Sequence, residues 1–307
     1  MKIGKRPIRV VFYASDKPRE IMLARALEKG VRSHGDAFET RRTFDYGETQ
    51  EGDDRKYPGP SPDTDVAVCF GVKGKSRQIV NDHLAVGKST LFMDKGYSRQ
   101  SGEGGHTEYS RISVNGSDPL HYFMREDHRS DRWKALEVIV KPRQNGYNGN
   151  VLFCGSSLKY HIFHNLDDPT TYAESLFKKL RKLTERHLIY RPKPSWKAAR
   201  PIGGTSFSNG STSIAEALRG CHCLVTHGSA AALDAIVNGV PVIVLGGSIA
   251  KPVSDTVIEH VEKPFWPDDK LRSRWFNAMA YCQWTTEELR TGEAWDHLKT
   301  EILRQAQ

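Results

Sequence analysis

The residues with the clearest chemical meaning lie in the run Thr226-His227-Gly228-Ser229-Ala-Ala-Ala-Leu-Asp234, where an apolar stretch meets a helix-forming one. A strand ending at Thr226, a turn through His227 and Gly228, and a helix capped by Ser229 would present free backbone N–H groups and a positive dipole end. That arrangement suits a phosphate or diphosphate. Gly228 would let the ligand approach the backbone. Asp234, about 1.5 turns beyond Ser229, could accept hydrogen bonds from ribose hydroxyls. Asn238-Gly239 then closes the helix before an apolar strand. The same string also fits an ordinary strand–helix–strand unit with a capped helix.

Two cations stand at another strand end, in Tyr190-Arg191-Pro192-Lys193-Pro194. In a doubly wound sheet, ligands bind at the carboxyl ends of the strands, so Arg191 and Lys193 could offset the charge of a departing diphosphate, on segments stiffened by proline. Gly155-Ser156-Ser157, after the apolar run at 151–154, is a further candidate for contact with phosphate or sugar. A transfer to a hydroxyl needs a base. Asp16, Asp94 and His227 qualify, the two aspartates because each follows a strand. Two Gly-Lys-Ser strings, ending at Ser76 and Ser89, mimic a phosphate-binding loop, but the glycine required five positions earlier is Cys69 in one and Asp82 in the other. Lys73, Lys75 and Arg77 fit a basic rim or a solvated turn. Asp63-Thr-Asp65 precedes a strand where a metal-binding pair would follow one, and Cys221-His222-Cys223 lacks a second ligand pair at zinc spacing, so no metal site is expected.

Strands and helices alternate around these positions. Strand patterns occur at Ile8–Tyr13, Phe38–Phe44, Val66–Gly71 and Thr90–Met93, with helices at Arg19–Ser33 and Ser76–Leu84. The stretch 95–132 is polar and irregular. After turn-rich 141–150 the pattern resumes: strands at Val151–Cys154, Leu188–Arg191, Cys223–Thr226 and Val240–Leu245, and helices at Tyr172–Leu183, Ser213–Leu218 and Ala230–Val237. This alternation predicts parallel α/β sheets covered on both faces. Residues 1–145 and 146–270 are expected to form two domains hinged near residue 145, with 271–307 a helical tail packing across both.

The string His227-Gly-Ser-Ala-Ala-x-x-Asp234-Ala-x-x-x-Gly-Val-Pro-Val resembles the donor-binding segment of GT-B glycosyltransferases, in which a Gly-Ser turn binds the nucleotide-sugar phosphates and an acidic residue binds ribose. Tyr190-Arg-Pro-Lys-Pro194 is similar to a strand-end segment of capsule-polysaccharide and Kdo transferases, and Ser213-Ile-Ala-Glu-Ala-Leu218 to the helix before their donor loop. The likeness covers about residues 150 to 250, and the tail Ala280–Trp295 looks like that of phage-encoded members. It implies two Rossmann-like domains facing a central cleft, a nucleotide-sugar co-substrate such as a UDP-sugar, no cofactor and no obligatory metal.

The acceptor is less legible. Of 307 residues, 45 are Lys or Arg and 37 Asp or Glu, a net charge of +8 that favours anionic partners. With the phage resemblance, this points to a hydroxymethylpyrimidine in duplex DNA. Arg125, Arg129 and Arg132, with Tyr122, Phe123 and Trp133, would supply phosphate contacts and a stacking surface for a flipped base, or form an ordinary amphipathic segment. A capsule or lipopolysaccharide acceptor, or a non-catalytic nucleic-acid-binding role, are the alternatives. No apolar run approaches the roughly 20 residues of a membrane span, and the 5 scattered cysteines suit a reducing compartment, so a cytoplasmic location is expected.

Overall fold

The computed structural model describes residues 6–43, 57–72, 74–97, 109–125, 127–146, 148–208 and 210–306. In chain order the elements are β1 (Arg9–Ala14), α1 (Pro18–Ser33), β2 (Ala37–Arg42), β3 (Val66–Phe70), α2 (Gly74–Ala85), β4 (Ser89–Lys95), β5 (Tyr109–Val114), α3 (Leu120–Phe123) and α4 (Asp131–Ala135). There follow β6 (Val151–Cys154), α5 (Leu158–Phe163), α6 (Pro169–Leu180), β7 (Leu188–Arg191), β8 (Ser206–Phe207), α7 (Ile214–Ala217), β9 (Cys223–Thr226), α8 (Ala231–Val237) and β10 (Val242–Val244). The last are α9 (Asp269–Ala280), β11 (Gln283–Thr285), α10 (Thr286–Thr291) and α11 (Glu293–Gln305). No described helix is long and apolar enough to cross a membrane.

The chain forms two compact units, one of Met1–Pro119 with Tyr281–Gln307, the other of Leu120–Ala280. The first holds a 6-stranded sheet in the order β11-β5-β4-β3-β1-β2. Strands β1 to β4 pair in parallel, as the apolar runs of β1, β3 and β4 predict, but β5 joins β4 antiparallel, with Asp94 opposite Arg111, and β11 joins β5 antiparallel. Tyr-Ser-Arg-Ile-Ser-Val lacks the continuous apolar run of a parallel strand, which is why β5 is hidden in the irregular stretch 95–132. Helices α10 and α11 cover α1. Gly30 permits this, since a Cβ there would overlap the Leu289 carbonyl. The Asp36 carboxylate, 3% exposed, clasps the same elements, accepting from Ile8 N at 2.9 Å, Trp295 Nε1 at 2.8 Å and Lys299 Nζ at 2.7 Å.

The second unit holds a 5-stranded sheet, β10-β9-β6-β7-β8, with every pairing parallel. Its core joins Val151, Phe153, Tyr190, Val225 and Ile243 of the strands to Ala173, Phe177 and Leu180 of α6. Helix α6 begins earlier than its apolar spacing predicts, because Asp168 accepts from Thr170 N at 2.9 Å and Thr171 N at 3.2 Å. Helix α7 starts at the expected Ser213 through a capping box with Glu216.

The expected division at residue 145 is corrected by this arrangement. The turn-rich stretch is bound into the second unit: Lys141 N donates to Val237 O, Gln144 N to Gly239 O, and Gly220 N to the Gln144 side chain. Gly149 is required there, since a Cβ would overlap the Gly220 carbonyl. The expected tail is likewise divided, α9 belonging to the second unit and residues 281–307 to the first.

Candidate functional site

Four parallel strands of the second unit, β6, β7, β9 and β10, end on one edge of the sheet, so the segments following Cys154, Arg191, Thr226 and Val244 lie side by side. Buried Thr226 ties two of them together: its hydroxyl donates to Cys154 O at 2.8 Å and accepts from Ser229 N at 3.0 Å. Gly155 N donates to Arg191 O at 2.9 Å. A Cβ on Gly155 would stand 3.5 Å from Pro192 Cα, an ordinary contact, so packing alone does not demand glycine. Ser156 is 6% exposed and its Oγ has no hydrogen-bond partner among the described residues.

Arg191 donates to the Ser208 hydroxyl at 2.9 Å, the Thr212 hydroxyl at 3.3 Å and the Thr212 carbonyl at 2.6 Å. These are neutral oxygens, and among the described residues no carboxylate neutralises this guanidinium. The charges of Arg191, Lys193 and Asp234 all reach the Cys154 thiol: burial pushes it up to about 12, the two cations oppose that rise and Asp234 adds to it. The strand ends and α8 thus gather the sequence-derived group Gly155, Ser156, Arg191, Lys193, His227, Gly228, Ser229 and Asp234 on one edge of one sheet.

Local details differ from the sequence reading in two respects. Helix α8 has Ala230 at its N-cap, and Ser229 only accepts from Ala231 N at 3.3 Å. The hydroxyl of Ser229 therefore lies one position before the cap. Gly228 is required by the protein itself, because a Cβ there would overlap the Tyr160 hydroxyl and Gly247 O, which are bonded to each other at 3.0 Å.

His227 lies in a cluster of rings that the sequence did not announce. Its Nδ1 is 2.8 Å from the Tyr172 hydroxyl, and its ring stands 5.3 Å from that of Tyr172, 6.1 Å from Tyr160 and 6.3 Å from His164. Burial, with His164, His161 and Lys251 acting in the same direction, lowers the His227 pKa to about 4, so the ring is neutral at pH 7. Burial raises Tyr172 to about 12. A neutral imidazole donates or accepts one hydrogen bond per nitrogen but is a weak base. Lys251 adds a cation beside the cluster, after the Gly246-Gly247-Ser248 turn. That strand-end glycine pair was the sequence signal for it. Tyr160 and Tyr172 gave none, since both lie in helices and read as packing residues.

The remaining candidates lie elsewhere. In the first unit Asp16 follows β1 and pairs with Arg42 at 2.9 Å. Asp94, near the end of β4, pairs with Arg111 at 3.3 Å, and its other oxygen accepts from Lys95 N at 2.8 Å. Arg111 is enclosed by the rings of Phe92 and Tyr97, each 5.5 Å away; burial disfavours its charge, but Tyr97, Asp94 and Asp118 together hold its pKa above the usual range. Lys75 and Arg77 stand in the first turns of α2, while Lys73 lies outside the described residues. Arg19, at the start of α1, reaches Ser110 Oγ at 3.3 Å and lies 5.8 Å from the Phe70 ring.

The side chains of the proposed nucleic-acid stretch of the second unit make contacts of their own. Arg125 forms two hydrogen bonds to Asp127 at 3.0 and 2.6 Å, Arg129 pairs with Asp131, and Arg132 Nε donates to Ala280 O at 3.3 Å. Tyr122 and Phe123 are buried, and Trp133 stacks on Phe276 with centroids 4.3 Å apart. The surface expected to stack a flipped base is used in the fold.

No protein-family model matches the chain, and no curated protein matches it in sequence. Solved structures share its fold. The β-Kdo 2,7 transferase of Thermosulfurimonas dismutans KpsC matches with a TM-score of 0.55 at 12% identity, covering 95% of this chain and 99% of that one. The β-Kdo 2,4 transferase of the same KpsC matches with 0.53 at 13% identity, covering 91% and 92%. With two Rossmann-like α/β units along one chain, the fold is that of the GT-B glycosyltransferases.

Proposed function

We propose that the chain is a glycosyltransferase whose second unit holds a nucleotide-sugar donor at the carboxyl edge of its sheet. The observation that carries this reading is that the ends of β6, β7 and β9, followed by Ser156, by Arg191 and Lys193, and by the helix of Asp234, lie on one edge of one sheet, with Ser156 Oγ buried and unpartnered there. Arg191 and Lys193 would face the diphosphate and stabilise it as it leaves, since cations are worth most where charge develops. Asp234 would accept from the ribose. The chain's own cations supply this stabilisation, so the reading needs no metal. Asp16 and Asp94 remain the proposed bases, and of the two Asp16 has the more exposed carboxylate.

For the acceptor, a glycan hydroxyl is the better supported reading. Two solved structures that share the fold are described as Kdo transferases, and Arg125 and Trp133 are engaged by Asp127 and Phe276. A modified pyrimidine in DNA is the competing outcome. The test is thermal stabilisation by UDP-, GDP-, CMP- and ADP-sugars, then mass spectrometry of glycan and hydroxymethylated-DNA acceptors incubated with the donor that binds. A raised melting temperature with one nucleotide class is expected. No shift with any of them would sink the reading, and glycosylated nucleosides would reverse the choice of acceptor.

A further inference from the structure

The two edges of the His227 ring meet different surroundings. Nδ1 faces the Tyr172 hydroxyl at 2.8 Å. The opposite edge lies on Gly246, where a Cβ would overlap Nε2 and Cδ2. A phenol O–H is a stronger acid than a neutral imidazole N–H, and an imidazole nitrogen is the better acceptor. The shared proton therefore belongs to Tyr172, and Nδ1 accepts. A hydrogen bond to one ring nitrogen decides which nitrogen carries the proton, so His227 is the Nε2–H tautomer.

Tyr172 is itself held firmly. It stands in the first turn of α6, whose start is fixed by Asp168. Its ring packs 6.3 Å from Phe153 of the core and 5.4 Å from His161, whose Nδ1 lies 2.6 Å from Asp167 O. Among the described residues its hydroxyl has no hydrogen-bond partner besides His227.

We propose that Tyr172 is a positioning residue that holds His227 as a neutral Nε2–H donor beside the Gly246–Gly247 turn, where it donates to a phosphate oxygen of the nucleotide donor. This rests on the donor-site reading given above. A ring free to exchange tautomers would present a lone pair to the anion for part of the time, and the bond to Tyr172 removes that state. Charge on the phosphates is then met by Arg191 and Lys193, and His227 contributes direction.

The experiment is a two-bond ¹H–¹⁵N spectrum of the full chain labelled at histidine, with binding of UDP, CMP, GDP and ADP measured by calorimetry. The unaltered chain is expected to show the Nε2–H form at His227. Tyr172→Phe is expected to mix the tautomers and to weaken binding of the preferred nucleotide about 3- to 10-fold, the effect of one neutral hydrogen bond. His227→Ala removes the donor itself and is expected to weaken binding at least as much as Tyr172→Phe does, with no further loss when Tyr172→Phe is added. An Nδ1–H form in the unaltered chain, or a tautomer and affinity indifferent to Tyr172→Phe, overturns the proposal. If no nucleotide binds, the donor-site reading and the phosphate role fall together, while the spectrum still decides the Tyr172–His227 bond.

Discussion

At the scale of single residues, Arg191 has two roles that one substitution can separate. It holds Ser208 and Thr212 by hydrogen bonds and leaves a positive charge on the edge of the sheet. Arg191→Ala should weaken nucleotide binding about 10-fold or more, as expected for a charge-assisted contact. Arg191→Lys should recover part of it, restoring charge without the planar fork. Equal calorimetric affinities for the three proteins would remove Arg191 from the site. His227 makes a prediction about acid. Its folded pKa is about 4 against 6.5 when free, so the unfolded chain binds the extra proton between those values. The stability linked to the neutral ring is complete above pH 6.5 and is lost as pH falls toward 4. For a partly exposed ring this is on the order of 1–2 kcal/mol after solvent screening. His161, also lowered by burial, adds to the same slope, and Lys251, His164, Tyr160 and Tyr172 are the other titratable groups around His227. His227→Gln should flatten the stability profile between pH 4 and 6.5 measured by urea titration. The places of Arg191, Lys193 and Asp234 in the fold were legible because strand ends and cap patterns are local. Tyr172 was not, because its partner lies 55 positions away.

At the scale of elements, the first unit depends on a carboxylate buried between sequence-distant segments. Asp36 meets β1 through Ile8 and α11 through Trp295 and Lys299, and these partners hold its pKa down against the opposing effect of burial. Asp36→Ala would leave the Lys299 ammonium without its partner and should cost about 3–5 kcal/mol in chemical denaturation. A loss within experimental error would show that the clasp adds nothing to stability. Because the folded pKa is depressed, the contribution is present at neutral pH and is lost as pH falls through that folded value. Elements with apolar runs or capping boxes were visible in the sequence: β1, β3, β4, β6, β9, α1 and α7. Strands β5, β8 and β11 were not. They are short or polar and exist through pairing with a neighbour, as Gln283–Thr285 does with Tyr109–Arg111.

At the scale of the molecule, each unit has its own core, one running from Ile8 through Trp295 to Ile302, the other from Val151 to Val261. The segment 120–280 should therefore fold cooperatively when expressed by itself and bind the same nucleotide as the full chain. Its circular dichroism and calorimetry decide this, and an unfolded segment would contradict the independence of its core. Segment 1–119 alone lacks β11, α10 and α11 and should remain largely unfolded. The misplaced boundary has a physical cause. A glycine- and asparagine-rich stretch signals turns, but whether those turns are packed depends on Val237, Gly239 and Gly220, which are far along the chain.

The return of residues 281–307 to the first sheet also sets a timetable for biosynthesis. Strands β1 to β5 leave the ribosome before the second unit but are without β11 and the Trp295 and Lys299 partners of Asp36 until residues 283–299 appear. The contiguous second unit has every strand it needs once Ala280 has emerged. The half synthesised first is thus the half completed last. Its apolar α1 surface, later covered by Leu289, Trp295 and Leu298, stays open to chaperones and to aggregation throughout translation of the other unit.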